Sequence, residues 1–360
     1  MSKRIGVVTG GGDCPGLNAV IRAVAKASAK RGWESIGILG GYEGLLEPRR
    51  TIPLDYRTLS GLLPRGGTIL GTANRGRFSA KVGHGESRTL PKELLDGVKV
   101  GMDALGLFAL VSIGGDGSLS IAQQMFEHGI PIVGVPKTID NDLEGTLFTF
   151  GFDSAVCCAT DALDRLHTTA ESHDRVMVLE VMGRYAGWIA LYAGVAGGAD
   201  VILIPEIPFS YESVCAKIQQ REKLGKKFTI IIVAEGAHEK DGGFVTSGAQ
   251  NKIGEARLGG IGALVSAEVE KRTGRESRVC VLGHLQRGGP PTTFDRALCS
   301  IFGAMAIELV AAGDFGKMVA FTGPQVGAIN ISDATGKLKT VRLDGNLIRT
   351  AHALGICLGD

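Results

Sequence analysis

ALVSIGGDGSLSIAQQMFEHGIPIVGVPKTIDND, residues 109–142, holds two short β-branched runs with a helical pattern between them, and each run ends in a polar loop. ALVSI (109–113) and PIVGV (131–135) have the length and residue types of buried strands, while residues 118–128 repeat apolar positions at helical spacing. A strand, a crossover helix and another strand predict a parallel βαβ unit. Open sheets of that kind bind ligands outside the carboxyl ends of their strands. The loops there, GGDGS (114–118) and PKTIDND (136–142), are therefore where chemistry is expected.

The same alternation extends both ways. IGVV (5–8) precedes an apolar-periodic stretch at 17–29 and the run SIGIL (35–39). Downstream come a helix at about 155–171 and the runs VMVLEV (176–181), ADVILI (199–204), FTIIIVA (228–234) and RVCVLG (278–283). The fold class is α/β, with enough elements for a second α/β domain and a boundary near Gly151. The tail from about residue 330, with a turn at 333–337 and a closing apolar stretch, reads as structural.

Composition narrows the function. With 39 basic and 37 acidic residues the net charge is only +2, so no global field draws the protein to nucleic acid or a membrane, and any anion site is local. Seven cysteines without a C-x-x-C pair suit free thiols in a reducing compartment, and the adjacent Cys157 and Cys158 read as core-lining. The start, MSKRIGVVTGGG, runs straight into a strand, and no apolar stretch nears membrane-spanning length, so a cytoplasmic protein is expected. The 54 glycines cluster at the ends of apolar runs, where they mark turns and close backbone approach.

Four loops carry the chemistry. TGGGDCPGLN (9–18) can offer backbone N–H groups and a helix N-terminus to phosphate, although a tight βα turn would use the same glycines. In GGDGS the small residues admit a phosphate chain, and Asp116 can hold Mg²⁺ through an oxygen or a bound water; a helix N-cap is the plainer use of the same aspartate. PKTIDND gathers Lys137, Thr138, Asp140 and Asp142. An alcohol attacking phosphorus must lose its proton, and an ordinary aspartate, with a pKa of about 3.9, is ionised and able to take it. Asp140 is the candidate base, with Asp142 orienting it or standing in a metal's outer shell. The fourth group is cationic: Arg175, Met182-Gly183-Arg184 and HLQRGG (284–289), suited to gripping a substrate's non-reacting phosphate.

In this order the four loops resemble the phosphofructokinase family over almost the whole chain. The resemblance implies two Rossmann-like three-layer domains with mainly parallel sheets and an active site in the cleft between them. The phosphoryl-donor domain would be 1–150 plus about 286–335, and the sugar-phosphate domain 151–285 plus the tail at about 336–360. The implied reaction is the Mg²⁺-dependent transfer of a phosphoryl group from ATP to the 1-hydroxyl of fructose 6-phosphate, a step of glycolysis. Implied donor contacts are Gly12, Asn74, Arg75, Gly115, Asp116, Gly117, Ser118 and Lys137. Implied sugar contacts are Thr138, Asp140, Arg175, Met182, Gly183, Arg184, Glu235, Arg278, His284 and Arg287. Asp140 would be the base, Asp116 the metal-associated carboxylate, and Arg184 and Thr138 transition-state stabilisers. Arg175 and Arg278 would reach a neighbouring subunit's site, so a homodimer or homotetramer is implied.

Two departures bear on the donor. Familiar ATP-dependent bacterial members carry Gly at both the GGDG position and the one before TIDND, whereas pyrophosphate-dependent relatives typically carry Asp and Lys. This chain has Gly117 and Lys137. Gly117 leaves room for an α-phosphate and nucleoside, and Lys137 can neutralise charge at the transferring group, so ATP is the expected donor and pyrophosphate the alternative. In GTANRGRF (71–78) the arginine falls one residue later than in the familiar pattern. Rival readings fit less of the chain. A dinucleotide oxidoreductase would need G-x-G-x-x-G, which residues 10–16 lack. A nicotinamide-nucleotide kinase leaves the cationic loops unexplained, and a non-catalytic sugar-phosphate sensor would have lost Asp116 or Asp140.

Overall fold

The computed structural model describes residues 3–72, 76–78, 81–82, 86–87, 89–250 and 256–360. The chain opens with β1 (Arg4–Thr9), α1 (Leu17–Lys30), β2 (Glu34–Ile38), β3 (Thr51–Pro53), α2 (Tyr56–Leu59) and a hairpin of β4 (Lys81–Val82) and β5 (Glu86–Ser87). It continues through α3 (Lys92–Leu105), β6 (Leu107–Gly114), α4 (Asp116–Glu127), β7 (Ile132–Pro136) and α5 (Phe152–His173). Then come β8 (Val176–Val181), α6 (Trp188–Ala196), β9 (Val201–Leu203), α7 (Tyr211–Lys223), β10 (Thr229–Ala234) and a hairpin of β11 (Thr246–Gln250) and β12 (Ala256–Leu258). The last elements are α8 (Ile261–Thr273), β13 (Ser277–Val281), α9 (Thr293–Ala312), β14 (Lys317–Phe321), β15 (Val326–Asn330), α10 (Ile331–Ala334) and α11 (Asn346–Ala353). Two compact units result, Met1–Ser154 with Arg287–Leu338, and Ala155–Gln286 with Lys339–Asp360.

In the first unit the described strands order as β15-β14-β7-β6-β1-β2-β3, parallel from β14 to β2 and antiparallel at both edges. The inner strands are apolar on both faces, as helices on each side of a parallel sheet require; Val8, Leu110, Leu119, Ile132 and Met318 lie in one buried cluster. Strand order reverses at β1, which has β2 on one side and β6 on the other, and this switch point opens a crevice at the carboxyl ends of β1 and β6.

The second unit's described strands order as β13-β8-β10-β9, parallel throughout. TIIIVA of β10 is buried at every position, and its core includes Val178, Ile231, Val233 and Val265. One acid sits within this apolar sheet. Glu180 of β8 is 3% exposed, and its carboxylate accepts the N–H groups of Gly260 at 3.1 Å and Gly262 at 2.8 Å, at the amino end of α8. A helix N-terminus supplies the donors and the positive field that a buried carboxylate needs.

Three local expectations are corrected. Helix α4 starts at Asp116, two residues before the predicted Ser118, because extended Gly115 is its N-cap and the Leu119 N–H donates to the Gly115 carbonyl at 2.9 Å. Asp116 is therefore in the first helical turn, where a carboxylate is favoured. Helix α5 outruns the predicted 155–171 at both ends. Cys157 is exposed and Cys158 half-buried, so neither lines the core as expected. The buried stripe of α5 runs through Ala155, Ala159, Leu163 and Ala170, and helical geometry turns position 157 to the opposite side.

Candidate active site

Strands β1, β6 and β7 are parallel neighbours and end in three of the four loops singled out above. The Lys137 N–H donates to the Gly114 carbonyl at 3.0 Å, which carries the β6–β7 ladder into the loops and sets Asp116 and Asp140 after adjacent strands. Lys137 is 5% exposed, and its Nζ donates to the Gly12 carbonyl. Burial pulls its ammonium below the usual lysine range, and the Arg287 guanidinium acts the same way, while Asp140 and Asp13 oppose them. Thr72 Oγ1 donates to the Gly11 carbonyl and Thr9 Oγ1 to the Gly71 carbonyl at 2.7 Å, so the glycine loop is braced from two sides. Arg287 lies against this loop: a Cβ at Gly12 would fall 1.8 Å from its Nη1. In this arrangement the guanidinium occupies the space a side chain at position 12 would take.

The PKTIDND loop is fixed by its own side chains. Thr138 Oγ1 accepts the Asp140 N–H at 3.1 Å, and Thr149 Oγ1 donates to the Thr138 carbonyl at 2.7 Å. Asn141, at φ +50°, accepts the Thr149 N–H at 3.1 Å and donates to the Leu147 carbonyl at 3.2 Å. Asp140 is 6% exposed, so its carboxylate is held in a largely water-excluded place. Asp116, half-buried at the start of α4, accepts the Gly336 N–H at 3.1 Å. Among the described residues no three His, Cys, Asp or Glu side chains gather into a metal cage. One carboxylate is enough for Mg²⁺, which keeps several waters and takes its other oxygens from bound phosphates.

In the second unit β8 and β10 are parallel neighbours, and the Glu235 N–H donates to the Val181 carbonyl at 2.8 Å just past their ends. Met182, Gly183 and Arg184 follow β8; the Arg184 N–H donates to Glu235 Oε1 at 3.1 Å, with Arg184 exposed and at φ +50°. The turn rests on Gly236, where a Cβ would sit 1.8 Å from the Arg184 carbonyl oxygen. Glu206 accepts N–H groups from Gly187 at 3.0 Å and Val341 at 2.8 Å, and burial raises its pKa above the usual carboxylate range. His284 is exposed in a short 3-10 turn after β13.

Arg175 and Arg278 are placed differently. They lie at the amino ends of β8 and β13, whereas Arg184 and His284 follow the carboxyl ends. A six-residue strand spans roughly 20 Å, so within this unit the two pairs are well apart. Both arginines share Glu276: Arg175 Nε donates to Oε2 at 2.7 Å and Arg278 to Oε1, and the Arg175 bond holds the Glu276 carboxyl below its usual range. Asn74 and Arg75 lie outside the described residues.

Several supporting residues went unread in the sequence. Asn18, 1% exposed, donates to the carbonyls of Arg65 at 3.1 Å and Gly66 at 3.0 Å and accepts the Ile69 N–H at 2.9 Å, securing the segment that carries Thr72 to Gly11. Its signal was a polar residue among Leu17, Val20 and Ile21 on the buried face of α1. Thr149, Glu206 and Gly236 act on backbone atoms, and their neighbours in sequence gave no such signal.

The sequence profile described as Phosphofructokinase matches residues 4–310. The chain belongs to the phosphofructokinase family. Among its relatives in this family, the ATP-dependent 6-phosphofructokinase of Chloroflexus aurantiacus is 52% identical, over 99% of this chain and 98% of that protein. The pyrophosphate–fructose 6-phosphate 1-phosphotransferase of Streptomyces coelicolor is 50% identical, over 94% of this chain and 96% of its own. The crystal structure of a pyrophosphate-dependent phosphofructokinase from Nitrosospira multiformis superposes with a TM-score of 0.82 at 23% identity, over 100% of this chain and 93% of that one, a likeness of fold. The phosphofructokinase family thus accounts for two Rossmann-like units with mainly parallel sheets. Among the described residues no helix is long and apolar enough to cross a membrane.

Proposed function

We infer that this chain is an ATP-dependent 6-phosphofructokinase, transferring the γ-phosphoryl group of ATP to the 1-hydroxyl of fructose 6-phosphate. The observation that carries the reading is the pair of braced aspartate loops after adjacent strands β6 and β7, Asp116 at a helix start and Asp140 buried beside Lys137. Relatives named for this reaction at about half identity over nearly their full length support it.

In this mechanism the glycine loop at Gly12 and the α4 start, Gly115 to Ser118, hold the donor phosphates with backbone N–H groups. Asp116 would hold Mg²⁺, which when bound spreads the charge of the transferring phosphoryl group. Asp140 accepts the proton of the 1-hydroxyl as its oxygen attacks phosphorus and the bond to the ADP leaving oxygen breaks. Thr138 and Arg184 donate to the equatorial oxygens. Met182, Gly183, Glu235, His284 and Arg287 orient the sugar phosphate, and Arg175 and Arg278, at the far strand ends, would serve a neighbouring subunit's site in a homo-oligomer. Catalysis is then mainly positioning and charge stabilisation.

The pyrophosphate reading draws on Lys137 and on the Streptomyces coelicolor relative. Lys137 has another use here, however, because its Nζ donates one of its three N–H groups to the Gly12 carbonyl and so braces the loop for any donor. Gly117 therefore weighs more, and ATP is preferred. Asp140→Asn tests the reading: we expect a folded protein that binds fructose 6-phosphate normally while turnover falls about 10³-fold or more. Turnover near wild type would remove Asp140 as the base.

A further inference from the structure

We propose that the turn at residues 335–338 is part of the donor site, as the element that orients the Asp116 carboxylate. The proposal rests on the reading of Asp116 as the metal-associated acid. The Gly336 N–H donates to Asp116 Oδ1 at 3.1 Å across 220 residues of sequence, a charge-assisted bond that selects one carboxylate orientation. The turn is itself held at both ends. Upstream, Ile331 and Ala334 of α10 are buried in the cluster that contains Leu119 of α4, and the Thr335 N–H and Oγ1 both donate to the Ile331 carbonyl, at 3.2 and 3.1 Å. Downstream, Leu338 makes an antiparallel bridge with Leu143, the residue that follows the TIDND sequence. One short segment is thereby tied to both aspartate loops.

Beyond Leu338 the chain enters the second unit and is fixed again: Trp188 Nε1 donates to the Lys339 carbonyl at 2.8 Å and the Val341 N–H to Glu206 at 2.8 Å. Held by α10 on one side and by the Leu338–Leu143 bridge on the other, the Gly336 N–H has little freedom to turn from Asp116. A carboxylate held in this way meets a metal without first losing rotamer freedom, and removing such a supporting bond typically costs 10- to 100-fold in metal affinity. Gly336 is at φ +81°, and a Cβ there would meet nothing within 4 Å, so a β-carbon by itself adds no clash.

The test compares Gly336→Pro, which lacks the N–H and cannot adopt positive φ, Gly336→Val, which keeps the N–H but resists positive φ, and Gly336→Asn, which keeps the N–H and tolerates positive φ. Mn²⁺ binding with the non-hydrolysable ATP analogue adenylyl imidodiphosphate is followed by electron paramagnetic resonance, with fructose 6-phosphate affinity and thermal melting measured in parallel. We expect about tenfold weaker Mn²⁺-nucleotide binding for Pro, a severalfold loss for Val and rescue to within about twofold for Asn, with fructose 6-phosphate affinity unchanged. A folded Pro variant that binds Mn²⁺-nucleotide like wild type would overturn the proposal; if Pro does not fold, wild-type binding by Val would do so. Asp116→Asn separates the two levels: normal Mn²⁺-nucleotide binding in that variant would sink the donor-site reading itself, whereas weak binding there with full binding in the Gly336 variants would sink only the role of the turn.

Discussion

Gly236→Ala places a methyl where the second unit has no room. The new Cβ would lie 1.8 Å from the Arg184 carbonyl oxygen, about 1.2 Å inside the 3.0 Å that real Cβ atoms respect. The obstacle is backbone, so no side-chain rotation relieves it. The turn cannot slide freely either, because the Arg184 N–H is bound to Glu235 at 3.1 Å and the Ala186 N–H to the Gly183 carbonyl at 3.0 Å. Overpacking of this kind costs about 1–3 kcal/mol. A displacement of about an ångström at a positioned group lowers rate on the order of 10²-fold. We therefore expect a melting midpoint lower by a few degrees, kcat/KM for fructose 6-phosphate down by roughly 100-fold, and KM for ATP within about twofold of wild type. Steady-state kinetics with each substrate varied in turn, together with a thermal melt, provide the readings. Gly12→Ala is the control for the logic, since its Cβ meets the end of the Arg287 side chain, which can turn aside, and should cost little stability. If Gly236→Ala kept kcat/KM within threefold, the claim that this turn positions Arg184 for the transferring phosphoryl group would fail.

Three further outcomes are expected. Gly117→Asp should raise KM for ATP far more than for pyrophosphate, and an unchanged donor preference would remove the argument from space and charge at that position. Asp295 accepts the Ser154 N–H at 2.9 Å and its hydroxyl at 2.6 Å, and burial pushes its carboxyl up to about 6. Because that lies above the unfolded value, the folded protein binds the extra proton between about pH 4 and 6, stability falls as pH rises through this window, and the penalty is complete above it. Asp295→Asn should thus raise stability by ~1–2 kcal/mol at pH 7.5 and leave it unchanged near pH 4, read from melts across that range; equal shifts at both pH values would contradict this. Asn18→Leu strands three backbone groups, so a loss of about 2–4 kcal/mol and a raised KM for ATP should appear together, and a normal melt would show that water replaces its bonds.

The inner strands were legible because apolar runs such as TIIIVA have no other use, and the four loops because their chemistry is contiguous in sequence, whereas β3, β14 and β15 of the first sheet went unread. The amino end of α4 was misplaced since glycines at 115 and 117 look like loop while the helix already closes through the Gly115 carbonyl. Glu180 passed without comment inside the strand run VMVLEV, and its place there becomes intelligible only with the α8 N-terminus beside it. Asp116 with Gly336, Glu206 with Val341, and Gly236 with Arg184 depend on main-chain atoms far along the chain. Every residue but proline offers a backbone N–H, so such partners leave no mark in composition or spacing. The tail that read as structural reaches Asp116 and Glu206 through such atoms.

Formation of fructose 1,6-bisphosphate from fructose 6-phosphate and Mg²⁺ by the purified protein, with ATP, ADP and pyrophosphate compared as donors, tests the central claim most directly. The account predicts turnover with ATP at a kcat/KM well above that with the other two. Activity with pyrophosphate alone would contradict the choice of donor, and no product from any of the three would contradict the assignment of the site.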